Sequence, residues 1–205
     1  DGEAQFRQMV KKADPKAAIN MIPALRGTIV EFGGQRVDQL EELPEGAWIL
    51  NGDRGLTYSS ALPNGSEIVA GNWWPQDYNG PALVSLEADA AESLGVGVGD
   101  SLTISLLGVE VPAKIASLRT VKWDNFGLNY VMVFSPGSLD AAPHNMVATL
   151  TVSKAAERIL AKSLPPAFPS SSLIEVGEVT AQITTLLSQM AQAIAAAASI
   201  AILAG

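Results

Sequence analysis

From Val179 to Gly205 the chain carries no charged side chain, and from Met190 onward, MAQAIAAAASIAILAG, its polar residues are Gln192 and Ser199. Such a run fits two environments, the hydrocarbon of a bilayer or the interior of a protein. As a helix rising 1.5 Å per residue it reaches about 40 Å, enough to cross a ~30 Å hydrocarbon layer. We therefore expect the start of a transmembrane helix, entered from water-exposed sequence. The alternative is a free-standing soluble ligand-binding or structural domain whose Ala-rich helix packs internally, because alanine forms helices well while being weakly apolar. No Lys or Arg occurs from Ser163 to Gly205. Cytoplasmic flanks of membrane helices are enriched in those residues, so the domain is expected on the outer side of the membrane. Val179, Ile183, Leu186, Met190, Ala193 and Ala197 recur at spacings of three and four. That coiled-coil-like seam fits a stalk continuing beyond the bilayer.

The opening DGEAQFRQMVKK is polar and has no apolar core of a signal peptide, so export is expected to depend on a membrane helix preceding Asp1. A net charge of −8, from 13 basic and 21 acidic residues without a basic cluster, argues against nucleic acid as a partner. The chain has no cysteine and one histidine. It therefore offers no disulfide, no Cys-based zinc site and a poor donor set for any transition metal. We expect no cofactor and no metal.

Periodicity divides the chain into an outer frame and an insertion. Phe6, Met9, Val10 and Ala13 mark an amphipathic helix over Glu3–Lys12, and AAINMIPA, Ala17–Ala24, reads as a strand. RGTIVEFGGQRV, from Arg26, reads as two strands about a Gly33-Gly34 turn. Near the other end we expect a strand at His144–Val152, a helix from the cap Ser153 to about Ser163, a Pro-rich stop from Leu164, and a short strand at Leu173–Val176. These terminal elements suit one α+β sheet. Between them, strands are expected at Glu67–Ala70, Asp100–Leu107, Val109–Leu118 and Asn129–Phe134, with a helix at Leu86–Leu94. The resulting division is 1–66 and 141–177 for the α+β frame, 67–140 for a β-rich insertion, and 178–205 for the stalk and membrane helix.

Catalytic patterns are absent. Gly95, Gly97 and Gly99 follow a predicted helix and precede a strand, the reverse of the strand–loop–helix order of a dinucleotide site, and no GxxxxGK[ST] occurs. There is no GxSxG elbow, and His144, after Ala142-Pro143, reads as a surface residue. Glu41, Glu42 and the Asp53/Arg54 pair lie in polar, loop-like sequence. No catalytic residue is predicted.

The segments PALRGTIVEFGG from Pro23, EIVAGNWWP from Glu67, LVSLEADAAESLGVGVGDSLTISLLG from Leu83 and ASLRTVKWDNFGLNYVMVFSPGSL from Ala116 together resemble the extracytoplasmic domain of FtsX-like, MacB-type ABC transporter permeases. The likeness is greatest to the large permeases of lysophospholipase- or arylesterase-associated export systems. It implies a porter-like α+β subdomain built from both chain ends with a β-rich, sabre-like subdomain between them. It also implies a cytoplasmic ABC ATPase as partner, since ATP must be hydrolysed by another subunit. The function implied is mechanical: ATP-driven motion is passed through the stalk to export a hydrophobic or lipid-like molecule or to control a periplasmic partner.

Within the resembling segments, Trp73, Trp74, Trp123, Phe126 and Tyr130 cluster, with Tyr78 close by. Large aromatics usually belong to cores. NWWPQDYNGP and KWDNFG are nevertheless short, Pro/Gly-bearing and partly polar, as loops are. Trp73, Trp74, Trp123 and Phe126 are therefore candidate contacts for cargo or partner.

Overall fold

Strand β1 runs unbroken from Ala18 to Phe32 and organises the larger part of the molecule. The structure is a computed structural model and describes residues 2–123 and 128–174. The expected stalk and membrane helix, the seam from Val179 to Ala197, and Phe126 all lie outside the described residues. Among those described, no helix is long and apolar enough to cross a membrane.

Two strands were expected where β1 is one. Pro23 and Gly27 both weaken an isolated strand, yet β1 passes through them because it changes partners there. Ala18–Ala24 pairs antiparallel with β9 (Asn145–Thr151), and Leu25–Gly27 then pairs with β3 (Arg54–Tyr58). The Pro23 carbonyl accepts the Thr57 hydroxyl at 2.6 Å. Gly27 is required by closeness: a Cβ would stand 2.9 Å from the Ser105 carbonyl and 3.1 Å from the Leu56 and Leu106 methyls. Thr28–Phe32 goes on to pair with β6 (Ser101–Leu106) across a bulge between Ile29 and Glu31. The Gly33-Gly34 turn, with φ of 56° and 80°, then leads into the short β2 (Gln35–Arg36). Two consecutive positive φ values suit the tight turn the sequence predicts.

The remaining pairings close a ring. β3 lies parallel to β8 (Met132–Phe134), and β8 antiparallel to β5 (Leu83–Glu87). β5 lies parallel to β7 (Val109–Val121), which returns through β6 to β1. Closure satisfies both edges of each member, and the interior fills with Ile29, Leu56, Val84, Leu86, Ile104, Ile115 and Phe134, each at most 2% exposed. Outside the ring, β4 (Ser66–Gly71) pairs with β7. The helix expected from Leu86 begins later, as α2 (Ala88–Leu94). The Glu87 carboxylate caps it by accepting the Ala90 N–H at 2.8 Å, and Gly95 ends it in the left-handed region. Leu86 and Glu87 instead finish β5, a strand that spacing hid because LVSLE is buried on both faces and shows no alternation.

Chain contacts divide the molecule into Ala18–Thr151 and a second unit of Asp1–Ala17 with Val152–Gly205. This differs from the expected insertion at 67–140: β1 and β3 come from the first segment, yet they are ring members with β5–β8. The second unit, as far as it is described, pairs α1 (Gly2–Ala13) with α3 (Lys154–Ala167). Phe6 and Phe168 meet edge to face at 5.8 Å, with Val10, Ala156, Leu160 and Leu164 buried. The Asp14 carboxylate accepts the Ser153 N–H at 2.8 Å, and Ser153 in turn caps α3.

Two expectations at this end need correction. α3 does not stop at Leu164 but includes Pro165 and Pro166, its last turn closed by the Phe168 N–H on the Leu164 carbonyl at 2.8 Å. Leu173 and Ile174, read as a strand, are irregular and exposed.

Candidate functional site

The β6–β7 hairpin turns on two residues, Leu107 and Gly108, between the paired Leu106 and Val109. Both have positive φ, 51° and 87°, as a tight hairpin turn of this kind requires. Asn or Asp suits the first position; leucine there is strained by about 1 kcal/mol or more. It is also 84% exposed, and Val109 beside it is 66% exposed. Neither conformational preference nor solubility favours a leucine at this tip.

Behind the tip lies a groove of about 680 Å³. The hairpin supplies Leu106, Leu107, Val109 and Val111, β1 supplies Ala24 and Leu25, and the 137–145 connection forms the far wall. Most of that lining is apolar; Arg26, Ser138, His144 and Asn145 add polar groups at places. His144 is exposed, its Nδ1 2.9 Å from the Ala142 carbonyl. Because a carbonyl can only accept, Nδ1 carries the proton there. Its ring meets Tyr58 edge to face at 5.8 Å. Burial first, and the Asp140 charge second, push the Tyr58 phenol above its ordinary value.

The expected aromatic contacts separate. Trp73 and Trp74 stack with ring centroids 4.0 Å apart, and their indole N–H groups donate to the Ser60 and Ser59 carbonyls at 2.9 and 2.8 Å. Trp74 is 4% exposed, so this pair ties the segment after β4 to the turn after β3 and presents little surface. Trp123 is 53% exposed and lies just past β7. None of these tryptophans lines the groove. Sequence reasoning missed Leu107: Leu-Gly between two strands reads as an ordinary turn until both φ values are known. Its available signal was a large apolar residue where Asn or Asp is favoured. Among the described residues, no group of three or more His, Asp or Glu is placed to hold a metal.

No family model matches the chain. The chain is similar to an uncharacterized ABC transporter permease, YbbP, of Escherichia coli K12, with 31% identity over 134 residues, or 65% of this chain. It spans 16% of that protein's length.

Proposed function

We propose that this chain is an extracytoplasmic portion of an ABC transporter permease, a non-catalytic body that passes ATP-driven motion to a hydrophobic or lipid-like molecule or to a periplasmic partner. The permease similarity carries this reading. It makes a cytoplasmic ATPase the partner of the whole protein. In this reading the ring of strands is the sabre-like part and the helices from the two chain ends belong to the porter-like part. The Leu107 tip and the groove behind it form the surface that meets apolar material.

The test uses the full-length permease with its ATPase in lipid nanodiscs. Leu107→Asn relieves the strained turn, so its thermal midpoint is expected to equal or exceed that of the parent. Cargo release or partner binding is expected to fall roughly tenfold, a loss of about 1.4 kcal/mol at one apolar contact. Undiminished function in that stable variant removes the groove from the reading. Placement is tested separately with Leu107→Cys, since the chain contributes no thiol of its own. A membrane-impermeant maleimide is expected to label it in whole cells, and labelling only after lysis of the inner membrane overturns the extracytoplasmic placement.

A further inference from the structure

The groove behind the Leu107 tip has walls of two chemical kinds. The β6–β7 hairpin gives it Leu106, Leu107, Val109 and Val111, with no polar side chain. The rest of the lining carries the polar groups, and register gathers three of them. Ala24 pairs with Asn145, which sets His144 and Asn145 beside β1, and Arg26 follows Ala24 on the same face of that strand. Among the described residues Arg26 is the one formally charged member of the lining, a cation in a chain of net charge −8.

The donors there are only partly used. Arg26 gives one bond, to the Asp53 carbonyl at 3.2 Å, and makes no ion pair among the described residues, which leaves most of its N–H groups open. The carboxylates nearby do not line the groove. Asp53 Oδ1 takes the Thr28 hydroxyl at 3.4 Å, Glu110 is held by Arg36 at 3.0 and 3.3 Å, and Asp140 stands outside the lining. The Ser138 hydroxyl is bonded to that of Ser135 at 2.9 Å, and the neutral His144 ring, protonated at Nδ1, offers an acceptor at Nε2. The open donors are thus the Arg26 guanidinium and the Asn145 amide. An extended peptide brings a donor and an acceptor with nearly every residue, for which the side chains of the hairpin wall have no partner. A hydrocarbon chain brings neither.

We propose that the groove holds a single acyl chain ending in a carboxylate, the chain against the hairpin wall and the carboxylate on Arg26 and Asn145. A volume of about 680 Å³ is that of a small-molecule site. The inference rests on the reading of this groove as a surface that meets apolar material, and adds the form and charge of what it meets.

The probe is octanoate, titrated into the 205-residue chain while leucine, isoleucine and valine methyl signals are followed by carbon-correlated NMR. Val69 and Ile159, exposed and outside the lining, report unspecific adhesion. Saturable shifts of Leu107 and Val109 are expected at millimolar octanoate, with both controls still. Octanol and octyltrimethylammonium, which carry an alkyl chain of the same length, are expected to bind at least about fivefold more weakly, a difference of about 1 kcal/mol. Arg26→Gln, at an exposed position, is expected to bring octanoate down to the octanol value and to leave octanol unchanged, whereas Leu107→Asn weakens both alike. Equal binding of octanoate and octanol by the parent chain, or undiminished octanoate binding by R26Q, overturns the carboxylate assignment while the apolar groove stands. Tighter binding of octyltrimethylammonium, or of a blocked dileucine peptide, overturns it as well. No saturable shift with any probe below about 50 mM removes the groove reading too, and leaves the permease similarity untouched.

Discussion

One strand, β1, serves two different neighbourhoods. Its first half, Ala18–Ala24, has β9 as partner and forms a two-stranded ribbon in which Met146 and Val147 are 44% and 37% exposed. Its second half enters the closed ring, where Leu25 and Ile29 are at most 4% exposed. Both halves are extended strand, the second with one bulge, so a difference in stability must come mainly from what each half is packed against. A two-stranded ribbon in water is marginal by itself, and burial on both sides of a closed sheet is not.

The sharpest way to break this contrast is a core deletion. Phe134→Ala, at a residue with no exposure, should cost about 3–5 kcal/mol, read as a lowered urea midpoint. If the ring is the more stable part, amides of Ile104 and Ile115 should exchange with solvent at least roughly 100-fold more slowly than those of Met21 and Ala148 in the ribbon. Equal rates would mean that the two halves open together. Gly27→Ala places a methyl against the Ser105 carbonyl at the point where β1 enters the ring and should cost about 1–3 kcal/mol.

A smaller effect is expected at Asp14, which lies in sequence just before β1. Backbone hydrogen bonds from Ser153 and Lys16 hold its carboxyl below its ordinary value. The folded form therefore gains stability above the unfolded value near 3.8 and loses it as pH falls through the lower folded value. Asp14→Asn should flatten the acid limb of helix unfolding followed by circular dichroism; an unchanged limb would remove this tie. The least effect is expected from Val147→Thr in the ribbon, within about 0.5 kcal/mol by thermal melting.

Much of the local structure was legible. The seam of Phe6, Met9 and Val10, the Gly33-Gly34 turn, the Ser153 cap and the strands expected at Asp100–Leu107 and Val109–Leu118 each rest on a short-range preference visible in the residues themselves. The ring was not. β3 (RGLTY) and β5 (LVSLE) are short strands without a clean alternation, and their role depends on partners far away in sequence. The parallel register of β5 with β7 joins Leu83 to Lys114. The contact division falls at Ala17/Ala18 and Thr151/Val152 and not at 66/67, because composition changes at 66/67 while strand pairing continues across it. At the candidate sites, tryptophan content pointed to Trp73 and Trp74, whose N–H groups are bound by local carbonyls. The strained leucine needed dihedrals and burial to be seen.

Ring closure also governs how this body responds to force. Peeling a terminal strand from an open sheet breaks one seam, whereas extracting β3, β5 or β8 from the ring breaks two at once. A pull on any one of those three strands must therefore load both of its seams together.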